Sequence, residues 1–267
     1  MAKEPTSIRS DARITIFGVL ISNLSQEAAV SLIEDLIRQR RGTRAIFIAN
    51  SHTLNLASES PEYRVVLNGA YSVLADGTGV RWAARLRGVR LKANLVGTDL
   101  VPRLFEITGG KGYRYYLLGG DLSTVEAAAH AASTTYRGWD LAGFHHGYVA
   151  PEDAGEVVEE INDAHPDLLL VGMGNPRQEF WIHRHKAELR VPVCIGVGGL
   201  FDHWAGNLKR APEWVRRQGL EWLQILAQQP HKWRRYLVGI PIFLVRLVLE
   251  LPRDRRLEKR TGDSSGT

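Results

Sequence analysis

The chain has 267 residues, 44% hydrophobic and 24% charged, the texture of a soluble globular protein long enough to bury a substantial core. Its one cysteine, Cys194, excludes a disulfide within the chain, and residues 1–13 lack the apolar run of a secretory signal. The net charge of +5 is uneven: residues 209–260 hold 13 Lys/Arg against 5 Asp/Glu, an excess of +8 that points to an anionic partner for the C-terminal part.

In chain order, residues 14–17 read as a first strand and residues 18–23 as a turn or second short strand. Ser25 is placed to cap a helix in which Ala28, Ala29, Leu32, Ile33 and Leu36 recur at helical spacing. The apolar, β-branched run 46–49 reads as a buried strand that stops at Asn50-Ser51-His52-Thr53, where an amphipathic helix takes over. A second apolar patch, residues 71–75, delivers Asp76-Gly77-Thr78-Gly79 ahead of the helical segment from Val80. Strand, polar turn and helix, used twice, put Asn50 and Asp76 at the carboxyl ends of strands, the edge where open α/β sheets bind ligands. Asp76 between glycines can face a ligand there as an acid or base; it can equally cap the helix, with Gly77 and Gly79 serving the turn.

Residues 91–98 lead into a loop and helix start at Asp99, and Gly109-Gly110-Lys111-Gly112 reads as a break between two halves. Beyond it, residues 113–118, 140–144, 167–171 and 193–197 read as strands, alternating with helices over 125–132 and 153–164. That alternation implies a mostly parallel sheet. Gly119-Gly120-Asp121 and Gly196-Val197-Gly198-Gly199 resemble nucleotide-binding turns, but neither completes G-x-G-x-x-G, so no dinucleotide cofactor is expected. Asn175-Pro176-Arg177-Gln178 reads as a helix start with Asn175 as cap and Gln178 reaching back to it. A helix N-terminus carrying Arg177 would also suit an anion. No Asp-x-Asp pair occurs, so the common carboxylate pair for a metal–diphosphate complex is absent and no metal is expected.

From residue 210 a helix is expected through 226, ended by Pro230. Residues 237–251 are strongly apolar yet too short and too charged to span a bilayer. Arg246, Glu250 and Arg253 share one helical face and leave the rest apolar, as in an interfacial helix beside the basic cluster Lys232, Arg234 and Arg235. The same pattern would serve a helix docked on the protein's own core. Residues 253–267 read as a disordered charged tail.

With these motifs in view the chain resembles the TagA/WecG/CpsF family of bacterial glycosyltransferases. The resemblance is carried by Asn50-Ser51-His52-Thr53, Asp76-Gly77-x-Gly79, Gly97-Thr98-Asp99-Leu100 and Gly172-Met173-Gly174-Asn175-Pro176-Arg177-Gln178-Glu179. Gly196-Val197-Gly198-Gly199-x-Phe201-Asp202, Arg210-Ala211-Pro212-x-Trp214 and Gly219-Leu220-Glu221-Trp222 follow in the same order. The resemblance implies an α/β, Rossmann-like core with a mostly parallel sheet in two packed halves (residues 1–206) and a basic helical appendage (residues 207–267). It implies inverting, metal-independent transfer of a sugar, of N-acetylmannosamine type, from a UDP donor to a lipid-diphosphate-linked sugar. A UDP-glucose or UDP-uronic acid donor is the alternative within the family. A Rossmann-like NAD-linked sugar enzyme or nucleotide-binding protein is the alternative outside it.

The catalytic base so implied is Asp76. The expected substrate-binding residues are Asn50, Gly77, Gly79, Thr98, Asp99, Gly174, Asn175, Arg177, Gln178, Arg217, Arg234 and Arg235. Expected partners are the UDP-sugar, the lipid-linked acceptor and the inner face of the plasma membrane, where a cytoplasmic, peripheral protein would sit. No nucleic acid is expected, and a homo-oligomer is compatible with the sequence. Two positions depart from the family pattern: Ile48 stands where threonine is common, and Ile225 where arginine is common.

Overall fold

A computed structural model describes the backbone of residues 13–262 and the side chains of residues 13–250 other than 217. Eight strands form one sheet in the order β1-β2-β4-β3-β8-β7-β5-β6. Strands β1 (Arg13–Ile16) and β2 (Val19–Ser22) make an antiparallel hairpin. Its two turn residues, Phe17 and Gly18, both have positive φ (50° and 75°), the geometry whose twist matches that of paired strands.

The remaining strands are β3 (Arg44–Ala49), β4 (Ser72–Ala75), β5 (Arg114–Gly119), β6 (Asp140–His145), β7 (Leu168–Gly172) and β8 (Val193–Gly196), all in parallel pairings. A parallel sheet is covered on both faces, which is why β3, β5, β7 and β8 are near-continuous apolar runs rather than alternating ones. β3 pairs with β4 on one side and β8 on the other, so the two halves of the sequence meet there in one sheet.

Helices α1 (Gln26–Gln39), α5 (Gly97–Thr108), α6 (Leu122–Thr135) and α9 (Leu200–Trp204) bury their apolar sides against one face. Helices α2 (Ser51–Glu59), α3 (Pro61–Asn68), α4 (Gly77–Leu86), α7 (Ala154–Asp163) and α8 (Arg177–His185) cover the other. Each core draws side chains from both halves of the chain. Ser25 caps α1 as expected, accepting from the Ala28 amide at 3.2 Å. The helix expected after Asn50 is two helices, because Ser60 ends α2 and caps α3 ahead of Pro61. The helix expected from Asp99 starts two residues earlier and carries Pro102 inside it.

The C-terminal region departs further from expectation. The single helix expected over 210–226 is two short ones, α10 (Glu213–Arg217) and α11 (Glu221–Gln228), separated where Gly219 turns left-handed at φ 76°. A 3-10 turn (Pro230–Lys232) and a π-helical turn (Arg234–Val238) lead into α12 (Gly239–Gly262). The tail expected to be disordered from residue 253 is therefore helical through 262; residues 263–267 lie outside the described residues.

α12 lies across α2 and α4 and sends Phe243 and Leu247 into the core. Its charged face points inward. Arg246 donates to the Asn55 carbonyl at 3.1 Å and to Glu59 at 2.7 Å, and Glu250 pairs with Arg87 at the end of α4. Asn55 and Glu59, four apart on α2, supply the polar partners that let this face dock. Leu237, Val238, Val245, Val248 and Leu249 are left facing outward.

Candidate active site

A cleft of about 910 Å³ opens at the carboxyl ends of β3, β4, β7 and β8, and residues of the appendage from Arg216 to Leu244 form its other wall. A smaller hollow of about 630 Å³ at the opposite edge of the sheet, around Arg44, Tyr71 and Lys186, contains no carboxylate in its lining. Of the two, only the larger cleft offers a carboxylate.

Asp76 closes β4 and occupies the cap position of α4 by backbone geometry, yet its side chain makes no capping bond. Asn94 takes over that duty: its Oδ1 accepts from the Gly77 amide at 2.6 Å. The Asp76 carboxylate is thereby released to the cleft. Gly77 accommodates the sharp exit from the strand with φ 86°.

Asn50 ends β3 beside it and does cap. Its Oδ1 accepts from the His52 and Thr53 amides at 3.0 and 3.2 Å, and the Thr53 hydroxyl accepts from the Asn50 amide at 3.3 Å. With Oδ1 committed to the helix, the amide of Asn50 faces Asp76. Burial pushes the Asp76 carboxyl up to about 6; the Asn50 hydrogen bond and the Arg235 charge oppose this, while Glu221 and Asp99 add to it. A carboxylate poised near neutrality, ionised yet basic, is what proton abstraction from a hydroxyl requires.

The glycines of this turn do different work. A Cβ on Gly79 would overlap the Ser51 hydroxyl and approach Phe243 to 3.3 Å, so Gly79 is where α2, α4 and α12 converge. A Cβ on Gly219 would overlap the Thr78 hydroxyl, so the break between α10 and α11 rests directly on the Asp76 turn.

The Gly172–Glu179 turn differs from its expected form. α8 begins at Arg177, after Pro176, and neither Asn175 nor Gln178 caps it. Both side chains instead donate to Oε1 of the buried Glu179, at 2.7 and 2.6 Å, and the Tyr63 hydroxyl donates to Oε2 at 3.0 Å. Gln178 then accepts from the Gly198 amide at 3.0 Å, bracing the turn after β8. Burial holds the Glu179 carboxyl up at about 7 against these three donors. Gln178 lines the cleft with both ends of its amide engaged, and Asn175 lines it with its amide nitrogen engaged by Glu179.

Of the residues singled out in the sequence, Asn50, Asp76, Gly77, Gly79, Thr98, Gly174, Asn175, Gln178 and Arg235 all line the cleft. Arg177 is exposed and does not line the cleft. Arg234 lies over the Trp233 ring, 5.4 Å from its centroid, and does not line the cleft. The Arg217 side chain lies outside the described residues. Asp99 is committed to Arg210, which also donates to the Thr98 hydroxyl at 2.5 Å and pairs with Glu221 at 2.8 Å. Thr98 and Asp99 thus fasten the appendage to α5.

Lys232, Arg216, Arg81 and His52, outside the expected substrate-binding set, also line the cleft. Burial and the neighbouring Arg235 pull the Lys232 ammonium below its usual range. Burial, again with Arg235, pushes the His52 imidazole down to about 4, so it is neutral at physiological pH. Lys232 and Arg235 have no ion-pair partner among the described residues, leaving two cations facing the cavity. In the sequence Lys232 was legible only as a member of the basic cluster of the C-terminal region.

The model of the WecG/TagA/CpsF family of glycosyl transferases matches residues 14–257. The chain belongs to this family. Similar relatives carry the name N-acetylglucosaminyldiphosphoundecaprenol N-acetyl-beta-D-mannosaminyltransferase. One from Bacillus spizizenii is 33% identical over 215 residues, 80% of this chain and 82% of its own length. One from Bacillus subtilis is 30% identical over 236 residues, covering 88% and 91%. One from Staphylococcus aureus is 33% identical over 240 residues, covering 88% and 92%. As a WecG/TagA/CpsF member, the chain is a glycosyltransferase, and the Asp76 cleft is its candidate catalytic centre.

Proposed function

We propose that the protein moves an N-acetylmannosamine-type sugar from a UDP donor to a sugar carried on a lipid diphosphate, with inversion and without a metal. The observation that carries this reading is Asp76: a carboxylate relieved of capping, raised to about 6, in one cleft with Lys232 and Arg235, which have no carboxylate ion-pair partner among the described residues. An acceptor hydroxyl attacks the anomeric carbon as the bond to UDP breaks, and Asp76 takes the hydroxyl proton. A single displacement of this kind inverts the anomeric centre. The departing diphosphate develops charge that Lys232, Arg235 and Arg216 are placed to meet, worth most in a water-poor cleft. Neutral His52 adds a hydrogen-bonding group without adding charge. Among the remaining candidates, Asn50 positions Asp76, Gly174 and Asn175 border the donor, and Arg217 and Arg234 belong to the basic surround.

We place the protein at the inner membrane surface. No described helix is long and apolar enough to cross a membrane. The outward apolar side of α12, beside a basic segment, suits interfacial seating, with about 1 kcal/mol from each basic side chain near anionic lipid. Purified protein should transfer from one of a panel of UDP-sugars to a lipid-diphosphate-linked N-acetylglucosamine in excess EDTA, giving the anomer opposite to the donor's. Retention of configuration, or loss with EDTA and rescue by Mg²⁺ or Mn²⁺, would overturn the corresponding part of the mechanism. No transfer from any UDP-sugar would overturn the whole.

A further inference from the structure

We propose that the groove between α4 and α12 seats the hydrocarbon chain of the acceptor, with Arg81 at its inner end taking the acceptor's diphosphate. This deepens the acceptor reading above and rests on it. α4 buries Val80, Ala83 and Ala84, yet leaves Trp82 and Leu86, four apart, 44% and 51% exposed. Two large apolar side chains at helical spacing on a surface helix form a stripe that calls for a partner. On α12, which packs against α4, Ile240 and Leu244 are four apart and line the same cleft as Trp82, with Leu244 37% exposed. The Arg87–Glu250 ion pair ties the end of α4 to α12 and holds the two walls together.

The groove is continuous with the active-site cleft, because Trp82, Ile240 and Leu244 line both. Arg81 lines the cleft beside Trp82; it donates to the Thr78 hydroxyl at 3.2 Å and has no ion-pair partner among the described residues. From Asp76 to Leu86 is ten residues, about 15 Å of helix at 1.5 Å per residue. Over that length the surface offers a carboxylate, then a cation, then apolar side chains. A sugar hydroxyl, a diphosphate and a hydrocarbon chain occur in the same order along the acceptor. The donor diphosphate faces Lys232 and Arg235 on the appendage wall, so the two diphosphates do not compete for one set of cations.

The test compares two acceptors in detergent, with the same sugar and diphosphate but either a polyprenyl chain or a short alkyl chain. Leu86→Ser and Trp82→Ala should each lower the long-to-short ratio of kcat/KM about tenfold, with Leu86→Met close to wild type. Arg81→Gln should lower kcat/KM for both acceptors about tenfold while leaving the Kd for UDP within about twofold. An unchanged ratio in both apolar variants, or an Arg81→Gln variant that loses UDP binding instead, overturns the proposal. So does loss of partitioning onto acceptor-free phosphatidylglycerol vesicles with the ratio unchanged, since the stripe would then contact bulk lipid. Failure of the wild-type protein to use either acceptor removes the acceptor reading, and the groove with it. Use of both acceptors with no effect of the variants removes only the groove.

Discussion

At the carboxyl edge of the sheet an asparagine and a carboxylate are paired twice, to opposite ends. After β3 and β4, Asn50 stands beside Asp76; after β7, Asn175 stands beside Glu179. Burial raises both carboxyls, to about 6 and about 7. Glu179 is fully buried and receives Asn175, Gln178 and Tyr63, so its lone pairs are occupied. Asp76 receives Asn50 alone among side chains and keeps an open side toward the cleft. A raised carboxyl is therefore not in itself a base. What separates the two is how many donors are already engaged.

The comparison is broken most directly by exchanging each carboxylate for its amide. Asp76→Asn should lower kcat by about 10²–10⁴-fold while UDP-sugar still binds, the usual worth of a positioned base. Glu179→Gln should retain far more of kcat and instead lower the melting temperature, because it puts an amide donor among three existing donors. An unsatisfied buried donor costs about 1–3 kcal/mol. If Glu179→Gln is the more damaging to kcat, the assignment of roles is reversed.

The ionisation of Asp76 sharpens the contrast further. A base must be deprotonated to act, so kcat should fall about tenfold per pH unit below pH 6. For stability the sign is opposite. A carboxyl raised from 3.8 to about 6 on folding favours the native state most below pH 4, and that contribution is lost as pH rises through 6. Asp76→Asn should accordingly raise the melting temperature at pH 8 relative to wild type, an effect absent at pH 4. A mutant less stable than wild type at pH 8 would show that the charged carboxylate is better solvated than its burial indicates.

The smallest effect comes from Asn50. Asn50→Ala removes a cap worth about 1 kcal/mol and the hydrogen bond that holds the Asp76 carboxyl down. The acid limb of the pH–kcat profile should therefore move upward. Asn175→Ala, which touches Glu179 and not Asp76, should leave that limb in place. Equal shifts in the two variants would mean that the turns are electrostatically one unit.

The parts of this arrangement legible in the sequence were those set by local order. Strand, polar turn and helix placed Asp76 and Asn50 at the sheet's carboxyl edge, and helical spacing with Ser25 gave α1. What stayed hidden was decided by residues far along the chain. Asn175 and Gln178 look like a capping box from local order alone; the buried Glu179 that takes both side chains is held from the other side by Tyr63, 116 residues earlier. Arg246 looks solvent-facing until Asn55 and Glu59 meet it from nearly 190 residues away. Thr98 and Asp99 read as ligands because their partner, Arg210, is supplied by the appendage.

Gly79 has no side chain, and its consequence concerns interchangeability. The cap of α2, the turn that carries the base and the outer helix α12 all meet at the volume it leaves empty. None of the three can be resized alone: a bulkier residue at 51 or 243 would need space that no smaller residue at 79 can yield. An appendage grafted from a relative would have to arrive with its own matched set at positions 51, 79 and 243. In this sense the outer helix is part of the catalytic turn's mould rather than a detachable accessory.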